Sequence, residues 1–209
     1  MGKLLKKLIR KLPANLKWQL KWLVKSLSIS QIFLLVSAVK KEFFSKGLSE
    51  YELFFDNTTI CTANCIFCAY QFDIRNKEIA TLDHFKKSIN EFRNMGGKKL
   101  DLTALTGELF VSNSIIEQIK FAKEIGIREI SFFTNATLFH KVDLKDLLTA
   151  GVDRISISVT PLRSDLYKLI YRTDSYERVL RNIRELLKIA KLIKSKTHIA
   201  LNYRGNMSV

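Results

Sequence analysis

The chain has 209 residues, 47% of them hydrophobic, with three cysteines and a formal charge of +15. That length accommodates one domain with a real core plus a modest extension and excludes two large domains. Three cysteines crowded into eight consecutive residues exclude a disulfide framework and point to metal in a reducing compartment, so a cytoplasmic location is expected.

The excess charge lies near the start, where residues 1 to 47 hold eleven lysines and arginines against Glu42 alone. Residues 1–48 are expected to form a basic amphipathic helical extension. Leu4, Leu8 and Leu12 line one stripe up to Pro13, and Leu16, Leu20, Leu23 and Leu27 line a second. Lys17, Lys21 and Lys25 recur on another face, with Trp18 and Trp22 flanking the apolar one. Such helices suit an anionic membrane surface, so residues 1–27 are a candidate for peripheral membrane contact. A helical cap on the following domain, or a surface for RNA or a partner protein, fits the same pattern. No apolar run approaches the roughly 20 residues that span a bilayer; the longest, Ile32 to Val39, contains Ser37. No cleavage site follows an uninterrupted apolar stretch, so no signal peptide is expected.

From Tyr51 the period changes. Strands are predicted at Glu52 to Asn57, Lys99 to Leu105, Glu129 to Phe133, Arg154 to Val159 and His198 to Tyr203. Helices are predicted between them at Leu82 to Asn94, Ser114 to Ile125, Leu144 to Thr149 and Tyr176 to Ile193. Gly96, Gly126 and Gly151 each follow a helical stretch, where a left-handed C-terminal cap favours glycine. The organisation is α/β, with four βα units and a fifth strand in a parallel sheet covered by helices.

The loop after the first predicted strand carries Cys61, Cys65 and Cys68 in a Cys-x3-Cys-x2-Cys arrangement. Three nearby thiolates suffice for an iron–sulfur cube with one iron left open, whereas a structural zinc ion would need a fourth ligand. His84, His140 and His198 are scattered, so such a ligand would have to come from a distance.

This spacing, with Phe67 immediately before the third cysteine, resembles the radical S-adenosylmethionine (radical SAM) superfamily. The resemblance covers Tyr51 to Val209 and implies a [4Fe-4S] cluster on Cys61, Cys65 and Cys68. The amino and carboxylate groups of S-adenosylmethionine would bind the cluster's open iron. It also implies reductive cleavage of that cofactor to a 5′-deoxyadenosyl radical that abstracts hydrogen from substrate, and an electron donor such as flavodoxin or ferredoxin. Leu105-Thr106-Gly107-Glu108-Leu109 resembles the family's Gly-Gly-Glu-Pro turn, with Thr106 and Leu109 in place of glycine and proline. Gly107 and Glu108 are thereby expected at the methionine amino group. Their bland readings are a turn glycine and a solvated carboxylate at a helix start.

Phe133 to Leu138 is similar to a run of the peptide-modifying, SPASM-type branch, which implies that Thr134 and Asn135 face cofactor or a peptide substrate. Ile155 to Thr160 resembles a run whose serine binds ribose, and Ser158 matches it; Thr160 stands where the family often has aspartate. Tyr171 to Val179 is similar to the branch's linker into its fourth helix, with Ser175 as N-cap. Arg204, at the end of the fifth strand, is read as a solvated loop residue or a carboxylate contact. The family core is a (βα)6 partial TIM barrel. Residues 49–209 are expected to form an incomplete version, truncated after the fifth strand and without the branch's C-terminal cluster domain. A partner is expected to cover the open barrel edge, and a degenerate cluster-binding scaffold is the alternative to an enzyme.

Overall fold

The computed structural model of the chain describes residues 51–159 and 163–203. The basic helices expected in residues 1–48, with their membrane contact, lie outside the described residues, as do Thr160 and Arg204. Five strands, β1 (Glu52–Phe54), β2 (Lys99–Asp101), β3 (Glu129–Thr134), β4 (Arg154–Ser158) and β5 (His198–Asn202), form one sheet in the order β1-β2-β3-β4-β5. Every pairing is parallel, so each connection must cross over, and helices make the crossings. They are α1 (Leu82–Asn94), α2 (Ile115–Glu124), α3 (Leu144–Thr149), α4 (Ser164–Tyr171) and α5 (Tyr176–Leu192).

Alternation along the strands separates two faces. Leu100 of β2, Ile130 and Phe132 of β3 and Ile155 and Ile157 of β4 are fully buried. They belong to one apolar core with Phe85 and Ile89 of α1, Ile115 and Ile119 of α2, Leu147 of α3 and Val179 and Leu186 of α5. The three-to-four-residue spacing of these helix positions gives each helix one apolar stripe to press on the sheet. The opposite face is polar. Glu52, Lys99 and Glu129 share one register row, and Phe54, Asp101, Ser131, Arg154 and His198 share another two residues on. Ser131 donates to Asp101 at 2.8 Å and to Glu52 at 3.4 Å, tying three strands together across that face.

The α/β organisation and all four predicted helices are present, and Gly96, Gly126 and Gly151 adopt left-handed φ values of 93°, 94° and 105° at the helix ends. β4 and β5 stop one residue short of prediction, and β1 and β2 stop three and four residues short. β1 stops at Phe54 because the backbone beyond Phe55 turns to a new partner: Ala80 N–H donates to Asn57, Thr59 N–H donates to Glu78, and Thr58 bridges antiparallel to Ile79. β2 stops at Asp101, whose carboxylate accepts from the Thr103 N–H at 2.7 Å and ends the ladder.

Helix α4 was not predicted, and Tyr171, expected in a linker, is its last residue. Ser175 precedes α5, yet its hydroxyl caps no helical N–H. It pairs instead with Thr173 and accepts from Arg178 at 2.9 Å. No helix among the described residues is long and apolar enough to cross a membrane.

Candidate active site

The C-terminal ends of parallel strands are where loops converge in such a sheet, and every candidate residue among those described lies there. The antiparallel bridge at residues 57–59 and 78–80 closes off the segment between, so the cysteine loop leaves and returns at one fixed point. Thr58 and Thr59 tighten that closure, their hydroxyls donating to the Glu78 and Asn76 carbonyls at 3.0 and 2.6 Å.

Inside the loop none of the three cysteines is in a disulfide; Cys65 is buried and Cys61 and Cys68 are partly so. The end of α4 supports the middle one from below. Asn64 N–H donates to the Tyr171 carbonyl at 3.2 Å and Ile66 N–H to the Ile170 carbonyl at 2.9 Å, fixing the residues on either side of Cys65. The Phe67 ring stands edge-on to Tyr171 with centroids 5.7 Å apart. Cys68 caps the next short turn, its sulfur accepting from the Tyr70 N–H at 3.4 Å. Burial pushes the Cys61 thiol up to about 11, against a lowering bond from the Ala63 N–H and with further raising by Glu108 and Cys68.

The turn at Leu105 to Leu109 passes directly beneath this loop. A Cβ on Gly107 would meet the Thr58 carbonyl oxygen at 2.2 Å and the Ile60 oxygen at 3.1 Å, so the close approach requires glycine here. The next N–H, of Glu108, donates to Ile60 at 2.8 Å and seats the turn under Cys61. The bland reading of Glu108 as a solvated carboxylate is overturned, because the residue is 2% exposed. Its two oxygens accept from the Thr134 hydroxyl at 2.5 Å and the Asn135 N–H at 2.9 Å. Burial raises the Glu108 pKa, and the Thr134, Asn135 and Phe110 donors oppose that rise.

Thr106, in the position of the family's first glycine, has a role that the motif alone did not reveal. Its hydroxyl donates to Asp73 at 2.6 Å and accepts from Arg75 at 2.6 Å. Arg75 also engages Asp73 through Nε and Nη2 at 2.9 and 2.8 Å and reaches Asp56 at 3.3 Å. The far limb of the cysteine loop is thus clamped to the turn. Asp73 and Arg75 were missed by sequence reasoning because a lone acid–base pair in a loop ordinarily reads as solvated. Their spacing of two residues, which suits a bidentate clasp, was the available signal.

Asn135 connects β3 to the cysteines. Its amide nitrogen donates to the Thr62 hydroxyl at 3.2 Å and lies 3.9 Å from the Cys61 sulfur. Its oxygen accepts from the Thr137 N–H at 2.9 Å and the Thr137 hydroxyl at 2.6 Å. Ala136 follows at φ +57°, a left-handed conformation costly for alanine, and Asn182 of α5 donates to its carbonyl at 2.7 Å. Ser158 closes β4 on the polar face, in register with Asn202 of β5. The structure therefore gathers the cysteine loop, Gly107, Glu108, Thr134 and Asn135 into one bonded array, with Ser158 two strands' ends away from Glu108's turn.

The donor chemistry suits an iron–sulfur cube. No three His, Cys, Asp or Glu side chains among the described residues gather as ligands of a single ion. Thiols that hold a cube attach to different irons and so need not converge on one point. Soft sulfur donors without a fourth partner disfavour a closed zinc site.

Comparison with known proteins places the chain. Residues 58–201 match the Radical SAM superfamily. A probable GTP 3′,8-cyclase of Methanothermobacter marburgensis is 31% identical over 59% of this chain and 39% of its own length. A GTP 3′,8-cyclase of Clostridium perfringens is 32% identical over 68% of this chain and 44% of its own. The chain thus spans less than half the length of these curated relatives. Among solved structures, a methylornithine synthase aligns with 95% of this chain and 57% of its own at a TM-score of 0.51 and 15% identity. The hydrogenase maturase HydG aligns with 78% of this chain and 37% of its own at 0.55 and 16%. At these identities the two structures speak for the fold alone.

Proposed function

The chain belongs to the radical SAM superfamily, an enzyme family built on a [4Fe-4S] cluster and S-adenosylmethionine, and from that premise we propose that it cleaves S-adenosylmethionine reductively to start radical chemistry on a substrate. Residues 49–209 are the catalytic core in this reading. Cys61, Cys65 and Cys68 hold the cluster, and Glu108, presented by Gly107, receives the methionine amino group. Ser158 binds the ribose, Phe67 shields the cluster's flank, and Thr134 and Asn135 orient Glu108 and face the bound cofactor. When bound, the cluster and S-adenosylmethionine supply an electron and a 5′-deoxyadenosyl radical.

The observation that carries the proposal is Glu108 itself: a carboxylate buried beneath a three-cysteine loop, with both oxygens fixed by β3 donors. Burying a carboxylate is costly unless a positive partner arrives, and a ligand ammonium is such a partner. The protein's own part is to orient that carboxylate, exclude water from it and hold the thiols at one end of the sheet.

For the substrate, the Phe133 to Leu138 run supports the peptide-modifying, SPASM-type branch. The likeness to GTP 3′,8-cyclases supports a purine nucleotide instead. An electron donor such as flavodoxin or ferredoxin completes the proposed system. β5 pairs on one side only among the described residues, so a partner strand along its other edge belongs to the same reading.

The test is anaerobic reconstitution with iron and sulfide, dithionite reduction and chromatography for 5′-deoxyadenosine, repeated with GTP and with peptide pools. We expect 5′-deoxyadenosine from the loaded chain and none from Cys65→Ala. A loaded cluster that yields none would favour the cluster-binding scaffold instead.

A further inference from the structure

Between α5 and residues 139–145, which run into α3, lies a cleft of about 650 Å³ that the proposed reaction does not use. Its floor is apolar, with Phe139 and Leu144 buried and Ile189 partly so. Its walls are basic. Arg181, Arg184 and Lys188 recur at three- and four-residue steps on one face of α5, and Lys145 joins them from the first turn of α3. The two acids of the lining are already engaged. Glu185 stands 3.7 Å from Lys188, and Asp143 caps α3 by accepting from the Asp146 N–H at 2.9 Å. Lys145, Arg181 and Arg184 are exposed and have no carboxylate at ion-pair distance among the described residues. Three unpaired cations around an apolar floor suit a partner that brings negative charge and apolar side chains together.

What lies behind the floor narrows the choice of partner. Asn182, buried in the lining of the cleft, donates to the Ala136 carbonyl at 2.7 Å. The Thr137 N–H of that same peptide unit donates to Asn135 Oδ1 at 2.9 Å, and Asn135 Nδ2 lies 3.9 Å from the Cys61 sulfur. Followed along these contacts, the path from Asn182 Nδ2 to the sulfur is at most about 15 Å, and the straight line is shorter. The basic cleft is therefore bonded through to a sulfur of the cysteine loop, over a span that electrons can cross by tunnelling. A single-stranded nucleic acid fits the cleft less well. Such binding relies on open aromatic faces for stacking, and the one aromatic ring here, Phe139, is 1% exposed.

We propose that this cleft is the docking site of the external electron donor, a small acidic protein that carries a one-electron group, with Lys145, Arg181 and Arg184 as its charge contacts. The inference rests on the cluster reading given above, which requires one electron from outside for each cofactor cleaved. In the docked pair one electron leaves the donor's reduced group and enters the oxidised cluster, which gains one negative charge. No bond is made or broken and no proton moves. Opposite charges steer the encounter, and a small interface lets the spent donor leave.

The experiment follows reduction of the cluster in the full, loaded chain by its visible absorbance, without S-adenosylmethionine. Reduced flavodoxin is the donor in one arm, and dithionite, a small reductant that needs no docking site, in the other. Iron and sulfide are measured first, so that failure of the cluster reading is seen as an unloaded wild-type chain. A variant combining Lys145→Glu, Arg181→Glu and Arg184→Glu should be reduced by flavodoxin about tenfold more slowly at low salt, with the dithionite rate unchanged. Added salt should slow the wild type toward the variant. A control combining Lys87→Glu, Arg128→Glu and Lys196→Glu changes the net charge equally outside the cleft and should keep the wild-type rate. Equal flavodoxin rates in wild type and cleft variant, or equal slowing in the control, would overturn the inference. So would a loaded wild type that dithionite reduces and flavodoxin does not, or single-stranded RNA that binds the wild type and not the cleft variant while the flavodoxin rate stays the same. Should the cleft variant take up no cluster, Arg181→Gln decides alone, a slower flavodoxin rate supporting the docking and an unchanged one overturning it.

Discussion

At the scale of single residues, the site depends on one close approach and one buried charge. Gly107 passes so near the Thr58 carbonyl that Gly107→Ala must push the turn away from the cysteine loop. We expect a loss of about 1–3 kcal/mol of stability, the usual cost of overpacking, read as a lowered thermal midpoint together with weakened S-adenosylmethionine binding. Glu108→Gln should behave differently. Because burial disfavours the Glu108 carboxylate, neutralising it should leave the free protein as stable or more so. Removing one partner of the charge pair with the ligand should weaken S-adenosylmethionine binding by about 2 kcal/mol or more, measured by calorimetry on the loaded chain.

Asp73 carries the opposite sign. The Arg75 guanidinium, followed by the Thr106 hydroxyl, holds its carboxyl well below the usual range, and the side chain is only 5% exposed in its ion pair. A depressed folded pKa means stability that is fully present above the ordinary value of 3.8 and is lost as pH falls through and below it. Denaturant titrations at several pH values should show a shallower acid loss in Asp73→Asn than in wild type. Parallel curves would show that the clasp contributes nothing to folding.

Elements bring these residues together. Helix α5 does so through Asn182, which crosses from the helix to the Ala136 carbonyl and steadies the strained turn after Asn135. Asn182→Leu should cost about 1–3 kcal/mol by leaving that buried carbonyl unpaired, and a larger change in S-adenosylmethionine affinity than in cluster content would place the damage at the turn. The helices were legible in the sequence because the stripes of α1, α2, α3 and α5 repeat every three to four residues. The strand ends were not. Phe55 extends the apolar run past Phe54, but the pairing of Asn57 to Thr59 with residues 78–80 depends on a contact twenty residues away that no local pattern encodes. The missed helix α4 had a local signal, with Leu166, Tyr167, Ile170 and Tyr171 spaced for one face. The run that resembles a linker begins at Tyr171, the last residue of this helix.

For the whole molecule, the cysteine spacing made the site legible because metal-ligand spacing is a local property. The clamp of Asp73, Arg75 and Thr106 was hidden because it joins two loops more than thirty residues apart. The parallel sheet puts Cys61, Glu108 and Asn135, which are far apart in sequence, together at one end of the strands. The central claim is that three thiolates hold a cube whose remaining iron takes the cofactor. It is tested most directly by Mössbauer and electron paramagnetic resonance spectra of the reconstituted, reduced chain with and without S-adenosylmethionine. The account predicts a [4Fe-4S] cluster in which one iron is distinct and changes its spectrum when the cofactor is added. Bound zinc, or a cluster whose four irons are alike and indifferent to the cofactor, would contradict it.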